Sequence, residues 1–340
     1  MPLLRRWKVL GALRKVQQTP GGTFFVCLPK RWAVQSGLVR GTVLTLSETG
    51  DGRLFVDARH DAEVAPRSAV LKPGPYLGRD VISKYLLGFD VIRVESKEGI
   101  SLEVRDTVKK AASHLVGLEI VEEDSSAIVL QCLLEPSSFV PEKILRRAYS
   151  IASGMHRDVV AALVDGNLQM AKGVVARDDE GNRLYFMLVR ILRTIVQNPG
   201  LSEKLGVSPI ECLDYRLAAS LVEAIGDECV RIASKTVELN GVRLDKALKK
   251  QILNLHSICF GAHENALAAF LTGNVAAAEG VRNLRDNVDR AFGEIEKGSG
   301  VQSLDVMPRL LAAASFMRQI YEHSVDISDL AAPRRTQESF

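Results

Sequence analysis

Two groups of residues in this 340-residue chain have types and spacings that can do chemistry. The first is acidic. Glu223 and Asp227 stand four apart in a stretch of helical period, so their carboxylates share one helix face. Like charges at that spacing repel and need compensation, either a cation with oxygen ligands or nearby arginines. Arg231, four past Asp227, and Arg216, seven before Glu223, are placed for an ion-pair ladder, so both readings stand on the residues. The second group is basic. Arg5, Arg6, Lys8, Arg14, Lys15, Lys30 and Arg31 crowd the start of the chain, and the first acid is Glu48. Such a stretch attracts nucleic-acid phosphates by releasing condensed counterions. Lys30 and Arg31 also open a short helix, whose dipole assists an anion. The plainer alternative is a solvated basic surface facing a protein or lipid partner. Across residues 1–59, ten Lys/Arg face three Asp/Glu, a surplus of seven, so the remainder carries −4 of the total +3. A small basic head on an acidic body points to a polyanion partner for the head and another task for the body.

Catalysis finds little support. No nucleophile stands beside a base, which makes an enzyme unexpected and a metallohydrolase the weakest reading. His256 and His263 are seven apart and His323 follows Glu322, but no close His/Cys/Asp cluster is visible, so all six histidines read as surface or core. Cys27, Cys132, Cys212, Cys229 and Cys259 are far apart and odd in number, which suggests buried thiols in a reducing compartment rather than disulfides. Trp7 and Trp32 read as core or dimer-interface residues. No secretory leader is apparent, and no window is apolar enough for a membrane span. The expectation is a cytoplasmic protein without membrane insertion.

The elements that position these residues suggest a multidomain α+β chain. Residues 7–16, 23–28, 42–47 and 53–57 read as strands, with one helical turn from Pro29 to Gly37 and a hairpin at Gly50-Asp51-Gly52. About sixty residues of this kind bury little surface, so a domain over 1–60 is expected to dimerise. Residues 60–75, with Pro66, Pro73, Gly74 and Pro75, read as a linker. A small α/β unit is expected over 66–136: a helix at 75–87, a strand at 91–95, a helix at 101–116 and strands at 118–122 and 127–134. From residue 140 the period is helical. Helices are predicted along Val140–Val159, along Leu184–Ile195 ending before Asn198-Pro199-Gly200, along Leu213–Ile232, and at 243–271, 275–297 and 303–331. These form tandem three-helix bundles over 140–240 and 241–332.

Two stretches resemble known families. Arg14-Lys15-Val16-Gln17, Gly21-Gly22, the run Phe25-Val26-Cys27-Leu28-Pro29-Lys30-Arg31-Trp32 and Gly37-Leu38-Val39-Arg40-Gly41 resemble AbrB/MazE/SpoVT-like DNA-binding domains. Glu223-Ala224-Ile225-Gly226-Asp227, within a repeated three-helix unit, is similar to the acidic signature of PhoU. The two in this order look like archaeal phosphate uptake regulators. The resemblance implies a swapped-hairpin β-barrel homodimer whose basic residues lie on double-stranded DNA. It also implies bundles that report phosphate status or bind metal. The alternative is a signalling adaptor for a phosphate transporter or sensor kinase, with the AbrB-like part serving to dimerise. The family's matching acidic pair maps onto Asp178 and Asn182, giving Asp178, Asn182, Glu223 and Asp227 as ligands of a divalent or iron-type ion in the first repeat. In the second repeat Arg318 and Glu322, with Arg285 and Asp289, occupy those places, so internal salt bridges are expected there instead of a cation.

Overall fold

A computed structural model describes residues 13–48, 52–58, 66–298 and 306–332, and the chain divides into units 1–65 and 66–340. In the first unit, β1 (Gln17–Gln18) and β2 (Phe24–Phe25) pair antiparallel across a turn in which Gly22 takes φ 89°. Only glycine adopts that conformation at no steric cost. Helix α1 (Lys30–Gln35) follows Pro29 and stops at Gly37, φ 65°. Strands β3 (Thr45–Glu48) and β4 (Leu54–Asp57) form a second antiparallel pair. The expected strand 7–16 is not formed over residues 13–16, and residues 7–12 lie outside the described ones. Among the described residues there is no closed barrel, because one chain supplies two separate two-stranded ladders and neither closes on the other.

The second unit begins with a strand where a linker was expected. β5 (Ser68–Leu71) runs parallel to β6 (Val91–Glu95), with α2 (Leu77–Leu86) between them. The prolines at 66 and 73 flank a four-residue edge strand, a position where proline is tolerated. After α3 (Leu102–Ser113) come β7 (Leu118–Glu123) and β8 (Ala127–Cys132), giving the sheet order β5-β6-β8-β7. Leu77, Val81 and Tyr85 of α2 pack with Val108 of α3 against Ile92, Ile128 and Leu130 of the sheet.

The rest is helical. The first repeat holds α4 (Pro141–Asp165), α5 (Leu168–Gln197), α6 (Pro199–Leu205) and α7 (Pro209–Glu238). The second holds α8 (Lys246–Thr272), α9 (Val275–Arg282), α10 (Arg285–Lys297) and α11 (Met307–Ser328). Left-handed Gly166 and Gly273 end α4 and α8, and a Ser208/Glu211 capping box starts α7. The second helix starts at Leu168, sixteen residues before the apolar stripe that marked it from Leu184. α5 ends at Gln197, before Asn198-Pro199-Gly200 as expected, and the Asn198 side chain accepts a hydrogen bond from the Leu201 amide to start a further short helix, α6. The expected helix 275–297 is broken in two. There the Tyr321 hydroxyl lies 3.2 and 3.1 Å from the carbonyls of Val281 and Arg282, acceptors that a continuous helix would give to its next turn.

One apolar core runs through both repeats. The α/β part is tied to it by Arg190 of α5, which is 2% exposed. Its Nη1 donates to the carbonyls of Tyr85 and Phe89, each at 2.8 Å, and its Nη2 to Asp90 at 3.0 Å. No helix among the described residues is long and apolar enough to cross a membrane.

Candidate functional site

The basic head has no interior of its own. None of its described residues is buried, and eleven large apolar side chains between Leu13 and Phe55 are exposed, Phe24, Val34, Val39 and Leu54 among them. Cys27 is exposed too, unlike the other four cysteines and against the expectation of a buried thiol. The short β1/β2 ladder that precedes it leaves its side chain uncovered. Arg14, Lys15, Lys30 and Arg31 are all exposed on this unit, the last two in the first turn of α1. Arg5, Arg6 and Lys8 lie outside the described residues.

The acidic residues meet in a groove between α5 and α7. Asp178 and Asn182 are one turn apart on α5, and the Asn182 amide nitrogen donates to Asp178 Oδ2 at 2.9 Å. On α7, Gly226 between Glu223 and Asp227 faces α5: a Cβ there would meet Asp178 Oδ1 at 3.7 Å, an ordinary van der Waals contact. Burial, then repulsion from Asp227 and Asp178, pushes the Glu223 carboxyl up to about 7 against the pull of Arg216. Asp178 is raised by burial and by Asp227, with the Asn182 hydrogen bond opposing. Asp178, Asn182, Glu223 and Tyr185 line a small cavity of about 20 Å³, room for about one water.

The arginine ladder read from the spacing is not made. Arg231 bonds Glu228 at 2.8 Å rather than Asp227, and Arg216 stacks 4.8 Å from the Tyr185 ring centre. The oxygen-only donor set has the chemistry of a hard-cation site. However, Asn182 turns its nitrogen toward Asp178, and among the described residues no three His, Cys, Asp or Glu side chains converge enough to hold a metal. In this arrangement the groove does not fit a closed metal centre, and burial with mutual repulsion leaves the Glu223 and Asp178 carboxyls raised. The second repeat solves the same problem with its own cations. Arg285 makes two bonds of 2.8 Å to Glu322, and Arg318 lies 3.1 Å from Asp289.

A histidine cluster that the sequence did not reveal joins the two repeats. Tyr149 and His156 come from α4, His256 and His263 from α8. The Tyr149 hydroxyl lies 2.7 Å from His263 Nδ1, His263 Nε2 lies 3.1 Å from His156 Nδ1, and His156 Nε2 lies 3.3 Å from His256 Nδ1. A neutral imidazole has one donor and one acceptor, so the chain can be satisfied head to tail with every ring uncharged. Burial, aided by the neighbouring histidines, holds His156 well below its ordinary value. Burial also takes His263 to about 3 and, with Arg157 nearby, His256 to about 4. The seven-residue spacing of His256 and His263 was the available signal, since it puts both on one helix face. That α4 would bring His156 between them is a tertiary fact that no local pattern encodes.

The PhoU domain family model matches residues 145–236, which hold all four residues of the acidic groove. Among solved structures the chain is similar to PhoU from Pseudomonas aeruginosa, at 18% identity and a TM-score of 0.51. That match covers 56% of this chain and 93% of the other. No curated protein matches the chain. Through residues 145–236 in sequence, and through its fold, this chain is similar to the PhoU family.

Proposed function

We propose that this protein is a regulator of phosphate homeostasis that acts as a dimer, with its N-terminal units paired and their basic residues laid on duplex DNA. The role is regulatory rather than catalytic. The phosphate link rests on the PhoU likeness of residues 145–236. The observation that carries the dimer is the head itself, a unit with no buried residue among those described and eleven exposed large apolar side chains. Patches of that extent on a unit so small mark an association surface, and a second copy of the same unit is the nearest source of a matching one. Pairing doubles the exposed set Arg14, Lys15, Lys30 and Arg31 about a two-fold axis, which suits paired half-sites on DNA. The bundles then act on the heads to the extent that their effector prefers one arrangement of the pair.

The test is a titration of duplex DNA with the intact protein at two salt concentrations, with light scattering on the same sample. A dimer whose DNA binding weakens steeply with salt, and falls further when Arg14 and Lys15 are replaced by alanine, is the expected result. A dimer indifferent to DNA refutes the DNA role and leaves an adaptor that engages a transporter or sensor kinase. A monomer refutes the dimer.

A further inference from the structure

Where α7 gives way to α8 the chain makes a four-residue turn, Leu239 to Val242, that joins the two repeats. The Val242 amide donates to the Leu239 carbonyl at 3.0 Å, and Gly241, third in the turn, takes φ 80°. That is the type II arrangement, which requires a positive φ at its third residue and takes the second, here Asn240, out of the helical region. Asn240 and Gly241 are both exposed, and a Cβ added at Gly241 would meet nothing within 4 Å. Among the described residues neither the Asn240 side chain nor the Gly241 amide has a hydrogen-bond partner. Asn240 is also the one asparagine of the sequence that precedes a glycine. The others are held differently. Asn167, Asn198 and Asn274 cap helices with their side-chain oxygens, Asn198 precedes a proline with no N–H, and Asn182 bonds Asp178 within α5.

We propose that Asn240 is a site of spontaneous covalent modification, its amide converting to an aspartyl or isoaspartyl carboxylate at the junction of the repeats. The Gly241 backbone nitrogen loses its proton to solvent base and attacks Asn240 Cγ. A bond forms between that nitrogen and Cγ, the Cγ–Nδ2 bond breaks, and ammonia leaves a five-membered succinimide. Water then opens the ring. Opening at Cγ gives aspartate; opening at the main-chain carbonyl carbon gives isoaspartate, whose backbone runs through the former side chain and is one carbon longer. Water is the one co-reactant, and nothing is oxidised or reduced. The turn favours the step in two ways: glycine puts no Cβ beside the attacking nitrogen, and an exposed turn opens at little cost. Both products put a negative charge just past the C-terminal end of α7, where the helix dipole disfavours it. The isoaspartyl product also lengthens the link between the repeats.

The site is independent of the DNA role, so each can fail without the other. The test incubates the folded full chain and, in parallel, a free peptide of the sequence Thr236–Arg243, then reads both by tryptic digestion and mass spectrometry. Exchange of the amide NH2 for OH adds about 1 Da, and this gain is expected on the fragment that holds Asn240 before any other asparagine. Isoaspartate is scored separately, by enzymatic methylation of its carboxylate. Conversion is faster at about pH 9 than at about pH 6, since the nitrogen attacks only once deprotonated. In the folded chain it runs within about ten-fold of the free peptide, because the exposed turn gives little protection. Asn240→Gln stops it, since the longer side chain must close a six-membered ring. Gly241→Ala, confirmed as folded by circular dichroism, slows it several-fold. Asn240 left intact in the folded chain while the free peptide converts, a first gain at another asparagine, or a Gly241→Ala chain that converts as fast as the parent would each overturn the assignment.

Discussion

Replacing His256 with asparagine tests the histidine chain through the pH dependence of folding. His256 has an ordinary pKa of 6.5 and is held at about 4 in the folded protein, chiefly by burial. The folded value is the lower one, so the unfolded chain binds the proton first. The stability this residue contributes is therefore complete above pH 6.5 and is lost as the pH falls toward 4. The slope approaches about 1.4 kcal/mol per pH unit where the two states differ by a whole proton, and averages about 1 kcal/mol between about pH 6 and pH 5. The His256→Asn variant has no such slope, because an amide does not titrate. Glu223 acts in the opposite sense, because its raised carboxyl gains stability as the pH falls from about 7, but it is common to both proteins and cancels in their difference. Urea unfolding of parent and variant at about pH 7, 6 and 5 reads that difference. At neutral pH the variant is weaker by about 1 kcal/mol for the lost bond to His156. Over the step from about pH 6 to pH 5 the gap shrinks by about 1 kcal/mol. A gap that stays constant across that step refutes a buried, neutral His256.

Glu223→Gln removes the half-buried charge that Asp178 and Asp227 repel; after discounting for solvent, about 1–2 kcal/mol of stabilisation is expected at about pH 8 and none at about pH 5. Thermal melts at the two pH values check it, and an equal effect at both would assign the gain to packing. Arg190→Met removes the donor shared by the Tyr85 and Phe89 carbonyls and Asp90; the Gly88 amide still serves Tyr85 and the Arg67 amide serves the half-exposed Asp90, so a loss of about 2–3 kcal/mol is expected, read by urea unfolding. A loss under about 1 kcal/mol would mean that the α/β part is held on the helices by apolar contact alone. Arg285 and Glu322, both partly exposed, should couple by less than about 1 kcal/mol in a double-mutant cycle despite their two bonds.

The helical half of the fold was legible because its signals are local. Apolar stripes at 3.6-residue spacing marked each long helix, and 243–271 lies within three residues of α8, but the stripe from Leu184 missed the polar first half of α5, which starts at Leu168. What the stripes hid is what other elements impose. The break between α9 and α10 is set by Tyr321, about forty residues on, and β5 is a strand because β6 pairs with it, not because its four residues read as one. The acidic positions were visible from the i, i+4 spacing, but their partners were not. Arg231 stands one turn from Asp227 in sequence, yet Glu228, one residue further along, takes it. On a helix, carboxylates three and four residues before an arginine both lie within its reach, and here Arg231 bonds the nearer and buried one, Glu228.

The two repeats answer one electrostatic problem in different ways. In the second, Arg285 and Arg318 neutralise Glu322 and Asp289 with bonds inside the protein, so the local charge is fixed by the sequence. In the first, Asp178, Glu223 and Asp227 repel one another with Arg216 only opposing at a distance, and the Glu223 carboxyl sits at about 7, where a small change in its surroundings alters its charge. The asymmetry between the repeats thus places responsiveness in the first, and leaves the second as the fixed frame against which α7 is held.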